Sequence, residues 1–276
     1  AGTCNNGVCV SSGVGCVSVC TSGAKQCSGN DYQVCGDYNL DSCTEWGTAT
    51  ACSSGETCLS GECVIEITSC GVTLNQANKK YVLTQDLIGI GGFTPCIVIN
   101  ADGVILDGNN RNIIGGGGGV QVINLASPPN GVIIENLIIP STTYYGIFFS
   151  GCNNNIIQNN EILSGQLFGI SLNSVSGCGN NQIINNRVEN ILQGGISLNS
   201  ANGNTIDNNN VINNPGIGII LTNSINNNFN NNYVCVSGFV DFNCDATSAT
   251  NSYSGNTFDN ENLCGISRAS NSVICP

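Results

Sequence analysis

The sequence has no histidine, no methionine, one tryptophan and only six lysine and arginine residues among 276 positions. Charged residues make up 9% of the chain, against roughly 25% in an average soluble domain. Without histidine, imidazole-dependent zinc, copper and acid–base sites are excluded. Six cations and a net charge of −12 exclude nucleic acid as a partner, because phosphates require a positively charged surface. The low charge also argues against a helical protein, whose exposed faces need Glu, Lys and Arg.

Cysteine and asparagine are abundant instead. The chain contains 18 cysteines, a content typical of secreted proteins in an oxidising compartment. Dividing the sequence after Val64 leaves an even number of cysteines on each side, which predicts two separately cross-linked domains. The sequence shows no basic and apolar leader and no long apolar run, so no membrane insertion is expected. We therefore predict a secreted, extracellular protein of the cell surface.

Residues 1–64 contain two segments with the same cysteine spacing, at positions 3–10 and 57–64. Each has a glycine turn between two cysteines and is typical of a tight hairpin. We expect each hairpin to be closed by its own disulfide, Cys4–Cys9 and Cys58–Cys63. The pairing of the other cysteines of this module stays open: Cys16, Cys20, Cys27, Cys35, Cys43 and Cys52. Its composition resembles that of the cysteine-rich modules of microbial surface proteins, and so small a core depends on its disulfides.

From about residue 98 the chain repeats the unit Asn-x-Ile-x-Asn-Asn-x-Ile with a period of 23 to 29 residues. Copies occupy positions 155–162, 181–188, 204–211, 227–234 and 256–263, with weaker copies centred on Ile105 and Ile133. A second element starts with Gly146, Gly169, Gly195 or Gly218. Alternating apolar residues predict strands with one inward face. Each coil has too little core alone, so the repeats must stack as a solenoid.

The paired asparagines fall between two strands, where the chain turns through left-handed geometry that Asn tolerates. Stacking them in successive coils predicts a ladder of side-chain amides. The predicted ladder contains Asn136, Asn160, Asn186, Asn209 and Asn232.

Cysteine spacing gives a second estimate of the coil register. The tripeptide Ser-Gly-Cys ends at Cys152 and again 26 residues later at Cys178. Adjacent coils lie about 4.8 Å apart, within the Cα separation that a disulfide accepts. We therefore predict disulfides between neighbouring coils, Cys152–Cys178 and Cys235–Cys264, and disulfides that close the two ends, Cys70–Cys96 and Cys244–Cys275.

These repeats resemble those of right-handed parallel β-helix proteins, particularly the pectate-lyase-like and NosD-like repeat proteins of microbial surfaces. The resemblance is carried by segments 81–87, 96–99 and 104–109 with the Asn repeats, and covers roughly residues 67–276. It implies an all-β fold, a right-handed parallel β-helix of about seven coils preceded by a small disulfide-rich domain. The implied division is a cysteine-rich module at 1–64, an N-terminal cap or entry segment of the solenoid at 65–97 and the β-helix at 98–276.

The residues favour no enzyme of these families. The resemblance implies, for a polygalacturonase, clustered Asp pairs, Gly-His-Gly and Arg-x-Lys, and for a pectate lyase a Ca²⁺ held by carboxylates beside a basic residue. This chain has no histidine, and its acids are scattered; Asp102, Asp107 and Glu135 form the best remaining carboxylate group. The copper role of some NosD-like proteins needs His, Met or free thiolate ligands. We therefore expect no enzymatic activity, no catalytic residue, no metal and no cofactor.

Aromatic residues suggest a binding surface. Tyr144 and Tyr145 precede the glycine of one coil, and Phe168 occupies the equivalent position in the next. This predicts a stripe that stacks sugars or contacts a partner; the alternative is aromatic packing beneath a loop.

The end of the solenoid suggests self-assembly. A β-helix ends in an open strand edge, and residues 271–276 have a strand pattern with no visible cap. A head-to-tail contact at such an edge would propagate into a fibre. The main prediction is therefore a structural, self-assembling subunit of an extracellular filament or cell-surface layer, with copies of itself as partners. The alternatives are a carbohydrate-binding or adhesin module that recognises surface glycans, and a polysaccharide lyase-like enzyme.

Overall fold

The structure is a computed structural model. It describes residues 3–5, 8–10, 16–89, 91–92, 94–123, 127–248, 250–262, 264–265 and 275, except the side chains of 3–5, 8–10 and 175–177. The chain divides into two compact units, Ala1–Glu66 and Ile67–Pro276. In the described part of the chain, no helix has the length and hydropathy required to cross a membrane.

The first unit is built from short antiparallel strands. Hairpin β1–β2 places Cys4 opposite Cys9, and hairpin β7–β8 places Cys58 opposite Cys63. Between them, β4 pairs with β3, β5 and β6. The strands are β1 (Thr3–Asn5), β2 (Val8–Val10), β3 (Lys25–Ser28), β4 (Asp31–Gly36), β5 (Glu45–Trp46), β6 (Thr50–Ala51), β7 (Thr57–Leu59) and β8 (Glu62–Ile67).

The disulfides of this unit link separate segments. They are Cys16–Cys43, Cys20–Cys35, Cys27–Cys58 and Cys52–Cys63. The expected bond Cys58–Cys63 is wrong, because each of these cysteines bonds outside its own hairpin. A hairpin is already held by its backbone pairing, whereas a bond to a distant segment closes a longer loop and restricts the unfolded chain more. The other expected hairpin bond, Cys4–Cys9, involves side chains outside the described residues.

The second unit is a solenoid of three parallel sheets, here named A, B and C. Sheet A contains β10 (Lys80–Leu83), β13 (Ile105–Asp107), β16 (Ile133–Glu135), β19 (Ile156–Gln158), β22 (Gln182–Ile184), β25 (Thr205–Asp207), β28 (Asn228–Asn230) and β31 (Ser252–Ser254). Sheet B contains β11 (Leu87–Ile88), β14 (Asn112–Ile114), β17 (Ile138–Ser141), β20 (Glu161–Ile162), β23 (Arg187–Glu189), β26 (Asn210–Ile212) and β29 (Tyr233–Cys235).

Sheet C completes each turn. It contains β9 (Val72–Leu74), β12 (Pro95–Ile99), β15 (Gly118–Ile123), β18 (Tyr145–Asn153), β21 (Phe168–Gly179), β24 (Gly194–Asn202), β27 (Ile217–Thr222), β30 (Phe242–Cys244) and β32 (Glu261–Asn262). The chain visits the sheets in a fixed order, so each strand pairs in parallel with the equivalent strand one turn away. Inward side chains stack in columns: Ile134, Ile157 and Ile183 are in register and at most 1% exposed.

This architecture confirms the predicted all-β parallel β-helix, with about eight turns. The first turn lies in the segment expected to be the cap or entry segment of the solenoid. Residues 65–97 already include β9, β10 and β11, and β10 pairs in register with β13. The first coils bury apolar side chains but contain no amide ladder. The Asn repeat therefore starts further along the chain than the solenoid does.

The amide ladder lies inside the turn between sheets A and B. Each side-chain oxygen accepts a hydrogen bond from the backbone N–H one coil earlier, at 2.9–3.0 Å. Its members are at most 1% exposed: Asn160, Asn186, Asn209, Asn232 and Asn256. The inclusion of Asn136 is wrong by one position. Leu137 occupies that site and donates its N–H to Asn160, while Asn136 takes the left-handed turn position with φ 56°.

A second ladder, not predicted from the sequence, lies inside the turn between sheets C and A. Here too each amide oxygen accepts the backbone N–H of the preceding coil, at 2.8–3.0 Å. Its members are Asn155, Asn181, Asn204, Asn227 and Asn251. The first four are the first asparagine of a sequence repeat, so the repeat itself carried the signal, whereas Asn251 lies before the last copy. The two ladders hold both ends of the sheet A strands.

The disulfides of the second unit follow the stacking. Cys70–Cys96 and Cys152–Cys178 form as the spacing predicts, with Cα atoms 4.4 Å and 4.6 Å apart. All cysteines whose side chains are described are disulfide-bonded, which is typical of an oxidising compartment.

The expected bonds Cys235–Cys264 and Cys244–Cys275 are wrong, because the pairs are Cys235–Cys275 and Cys244–Cys264. The reason is a shortened last turn. Among the residues that the structure describes, its contribution to sheet B is an isolated bridge from Tyr233 to Thr257, and the next strand, β32, already pairs with β30 in sheet C. Cys264 therefore reaches Cys244 instead of Cys235.

Candidate functional site

Sheet C differs from the other two sheets in charge. Its strands β9, β12, β15, β18, β21, β24, β27 and β30 contain no charged residue, and Glu261 in β32 is the first one in this sheet. Sheet A carries Lys80, Asp107 and Glu135, and sheet B carries Arg187. The outer surface of sheet C is therefore the neutral face of the solenoid.

Aromatic side chains form a platform on this neutral face. Tyr145 and Phe168 occupy the same position in neighbouring coils, and their rings stack with centroids 6.2 Å apart. Phe148 lies on the same outer surface, with its ring centroid 4.6 Å from that of Tyr145. All three side chains are half-buried. The neighbours Ile147 and Phe149 point inward and are fully buried, as strand alternation requires.

Beside the platform lies a cavity of about 140 Å³. The register places Phe168 on one side of Tyr145 and Gly118 on the other. The cavity exists because Gly118 has no side chain where the next coil has the tyrosine ring. Its walls are formed by Pro95, Gly117, Gly118, Val120, Gln121, Tyr144, Tyr145 and Phe148.

The turn that presents the two tyrosines is held by one buried hydroxyl. Thr142 is 7% exposed, and its Oγ1 donates to the backbone oxygen of Tyr145 at 3.0 Å. The same Oγ1 accepts the backbone N–H of Tyr144 at 3.3 Å. The hydroxyl therefore fixes the backbone of both tyrosines, and the cavity wall is built on a defined turn.

A polar column runs parallel to the platform. Ser150, Asn173, Asn199 and Thr222 occupy one register position in four successive coils. Each is half-buried and follows an inward residue. Hydroxyl and amide groups both donate and accept hydrogen bonds. The face thus offers aromatic rings at one edge and neutral hydrogen-bonding groups at the other.

Tyr144, Tyr145 and Phe168, the aromatic residues predicted from the sequence, all lie on one face of the structure. Tyr144 and Tyr145 line the cavity, whereas Phe168 stacks behind Tyr145. Phe148, Gln121 and Gly118 were not anticipated. Strand alternation around the buried Phe149 could have identified Phe148 as an outward residue, but Gly118 becomes significant only when the coils are aligned.

Two of the acidic residues named from the sequence, Asp107 and Glu135, are register partners in neighbouring strands of sheet A, whereas Asp102 lies in the turn before β13. Asp107 pairs with Lys80 at 3.5 Å, Glu135 accepts a hydrogen bond from Gln158 at 2.7 Å, and Asp102 accepts one from the backbone N–H of Asn130 at 2.9 Å. Each carboxylate therefore satisfies a different neighbour.

Three other groups of possible metal ligands occur among the described residues. The groups around Cys16 and Cys275 contain sulfur atoms that are already in disulfides. The third, Asp37, Asp41 and Glu45, is mostly exposed, and its carboxylates accept backbone N–H groups of its own loop.

One carboxylate near the end of sheet C is strongly hydrogen-bonded. Burial by itself would raise the pKa of Asp245, but hydrogen bonds from Ser248, Thr247 and the backbone of Asn223 outweigh it and hold that pKa below its usual range. Asp245 follows β30 and lies in the turn towards sheet A. The backbone N–H of Asn223 donates to Asp245 and fastens this turn to the preceding coil, and Ser248 Oγ donates to it within the turn, which indicates a structural role.

A family model described as right-handed beta helix region matches residues 43–234 and 96–274 of this chain. None of the curated protein sequences matches it significantly. A solved structure with a similar fold is the periplasmic alginate epimerase AlgG, with 17% identity and a TM-score of 0.51 over 71% of this chain and 49% of that protein. This chain thus spans about half the length of AlgG. The A-module of the Azotobacter vinelandii mannuronan C-5 epimerase AlgE6 is 12% identical, with a TM-score of 0.47 over 77% of this chain and 79% of the module.

The AlgG structure overturns the expectation that the chain is not an enzyme. That expectation used the absence of the catalytic residues of two known families, whereas this solved protein of similar fold is named as an epimerase. At 17% identity the likeness establishes the fold alone, and no catalytic residue is transferred from it. The residues of this chain must therefore supply the functional argument.

Proposed function

We propose that this chain, which belongs to the right-handed β-helix family, binds a polysaccharide on the outer face of sheet C and is active on carbohydrate. The observation that carries the proposal is the cavity between Gly118 and the ring of Tyr145. A flat aromatic wall beside a gap matches the apolar face of a sugar ring. Neutral polar groups along the same face match its hydroxyl groups.

Any chemistry at this cavity falls to a small set of groups. Among its lining residues, only Tyr144 and Tyr145 carry a side chain that exchanges a proton, and Gln121 adds a neutral amide. A phenol in hydrogen-bond reach of a substrate serves as a general acid or base. The relatives named as alginate epimerases support a role on polysaccharide chains better than a role as a filament subunit.

Polysaccharide binding is tested with variants that change the cavity in two independent ways. Tyr145→Ala removes the aromatic wall, and Gly118→Leu fills the gap while keeping every aromatic ring. We expect each to weaken binding at least about tenfold, the cost of losing one buried apolar contact. Affinity electrophoresis against a panel of plant, algal and bacterial polysaccharides gives the measurement.

The matched control is Tyr233→Ala, which removes a half-buried, outward tyrosine from sheet B instead of sheet C. Its binding should equal that of the unchanged protein. If the cavity variants bind as well as the control, or if the protein binds none of the panel, the proposal is wrong.

Activity is measured on the same polysaccharides. NMR of the polymer after incubation detects bond cleavage, unsaturation or a changed ring configuration. Tyr144→Phe and Tyr145→Phe keep the aromatic surface and remove one hydroxyl each. We expect binding to persist in both variants and turnover to fall in at least one, which separates proton transfer from stacking.

Location at a cell surface and head-to-tail assembly remain predictions. The disulfides are consistent with an oxidising compartment, and electron microscopy of the purified protein tests the assembly. Extended filaments would support the prediction, whereas dispersed monomers at high concentration would contradict it.

A further inference from the structure

We infer that the polysaccharide bound on sheet C is uncharged, and that carboxylated polymers such as alginate are disfavoured there. The inference rests on the proposed function, because it names the ligand class of the same cavity. It departs from the likeness to the alginate epimerase, and it is carried by the distribution of charge and hydrogen-bonding groups around the solenoid.

In the described part of the second unit, the cations lie outside the strands of sheet C, and Lys80 and Arg187 pair with carboxylates. Lys80 of sheet A pairs with Asp107. Arg187 of sheet B lies 2.8 Å from Glu189 and 3.5 Å from Glu161. No strand of sheet C carries a lysine or arginine. A sugar carboxylate on this face would therefore lose water without gaining a cationic partner, which is costly.

The electrostatic field of the net charge also disfavours a carboxylated polymer. The chain carries 18 acidic and six basic residues, a net charge of −12. A negative protein repels a negative polymer over about one Debye length, and salt screens this repulsion. An uncharged polymer feels no such field, so its binding should be nearly independent of salt.

The groups that are present suit hydroxyls. Gln121 lines the cavity, and the column Ser150, Asn173, Asn199 and Thr222 continues along the same face. All are neutral and both donate and accept hydrogen bonds. A sugar hydroxyl also both donates and accepts hydrogen bonds. A carboxylate only accepts, so the acceptor atoms of these side chains would gain no hydrogen bond from it.

The test compares two polymers with the same backbone, one neutral and one oxidised to carboxylate at C6. Binding to the full chain is measured by isothermal titration calorimetry at low and at high salt. We expect the neutral polymer to bind equally at both. The carboxylated polymer should bind at least about tenfold more weakly at low salt, with a smaller difference at high salt.

Equal or tighter binding of the carboxylated polymer at low salt would overturn the inference and leave the proposed function standing. Binding of neither polymer, nor of any other neutral polysaccharide, would overturn the proposed function itself. The two failures are therefore distinguishable.

A charge placed in the cavity provides a second test. Gln121→Lys should increase the affinity for the carboxylated polymer up to about fivefold at low salt, the effect of one exposed ion pair. The control Gln182→Lys adds the same charge to an exposed position of sheet A and should have little effect. An equal gain in both variants would assign the discrimination to net charge and contradict a role of the neutral face.

Discussion

At the scale of single residues, asparagine serves two different purposes in adjacent positions. Asn159, Asn185 and Asn208 adopt left-handed backbone angles, with φ between 53° and 57°, and the following asparagine turns its side chain inward to the ladder. A pair of asparagines therefore predicts both the turn and the ladder. Where only Asn136 is present, the sequence does not say which position it fills.

The structure resolves that case through packing. A side-chain atom at Gly108 would lie 2.4 Å from the backbone oxygen of Asn136 and 2.6 Å from Leu137 Cδ2. The preceding coil thus has no room for another amide, and the ladder ends at Leu137, whose N–H is its last donor. Neighbouring coils decide the role of this asparagine, so one coil's sequence could not predict it.

We expect Asn209→Ala to destabilise the second unit by about 3 kcal/mol or more. Its Oδ1 accepts the backbone N–H of Asn186 at 2.9 Å, and its Nδ2 donates to the backbone oxygen of Ile183 at 2.8 Å and to Asn232 Oδ1 at 2.9 Å. Removing the amide leaves several buried groups unpaired, at about 1–3 kcal/mol each. Equilibrium unfolding in urea gives the measurement.

The matched control is the neighbouring Asn208→Gly. Asn208 is in the left-handed region with φ 53°, where glycine is tolerated, and its side chain makes an exposed hydrogen bond. The change in unfolding free energy should stay within about 0.5 kcal/mol. Equal effects of the two variants would show that the ladder contributes nothing specific.

At the scale of strands, the repeated glycines at the start of the sheet C strands set the distance between coils. A Cβ at Gly169 would lie 2.4 Å from Val188 Cγ1 and 2.8 Å from the backbone oxygen of Gly195. Gly195 has the same two contacts, with Val211 and Gly218. The sequence predicted these glycines as part of the repeat, whereas the close approach of the next coil's backbone explains them.

We expect Gly195→Ala to destabilise the solenoid by about 1–3 kcal/mol, the usual cost of overpacking. Its added methyl would contact Val211 at 2.4 Å and the backbone oxygen of Gly218 at 2.8 Å, so either a side chain or a whole coil must shift. Gly118→Ala is the control, because its nearest contact is 3.3 Å away and the methyl points to the cavity. Thermal unfolding compares the two, and a lower midpoint for Gly118→Ala than for Gly195→Ala would refute this account.

The order of strands was predictable from apolar alternation, but the register of the last turn was not. The sequence repeat predicts that Asn256 starts a unit, whereas in the structure Asn256 lies on the ladder and accepts the backbone N–H of Asn232 at 2.9 Å. In the preceding strand, β31, Tyr253 is the register partner of Phe229. A tyrosine between two polar residues does not fit the repeat unit, so the repeat did not reveal this strand. Because this strand was placed wrongly, the predicted disulfide partners of Cys235 and Cys244 were exchanged.

At the scale of the whole molecule, the three sheets have different surfaces although they come from one repeat. Sheet C carries no charged residue before Glu261, and its cavity places outward aromatic rings beside Gly118. The sequence predicted the aromatic residues, since they stand out in a single coil. It did not predict the cavity, because a cavity depends on which residues of different coils share a column.

The stacking also determines how the solenoid unfolds. Each coil contacts only its neighbours, so an end coil can open alone, whereas a middle coil is held from both sides. The disulfide Cys235–Cys275 closes the C-terminal end, and Cys152–Cys178 joins two internal coils. Removing either disulfide should lower the free energy of unfolding by about 2–4 kcal/mol. The two removals should differ in how many coils they destabilise.

Hydrogen exchange measured by mass spectrometry provides the test. In Cys235→Ala/Cys275→Ala, amide exchange should accelerate in β28, β29 and β31 and stay unchanged in β16 to β20. In Cys152→Ala/Cys178→Ala, the destabilised coils are packed between two other coils. Amide exchange should therefore accelerate in the neighbouring coils together. If the terminal variant accelerated exchange equally along the whole second unit, the solenoid would be a single cooperative block, and nearest-neighbour stacking would not govern its stability.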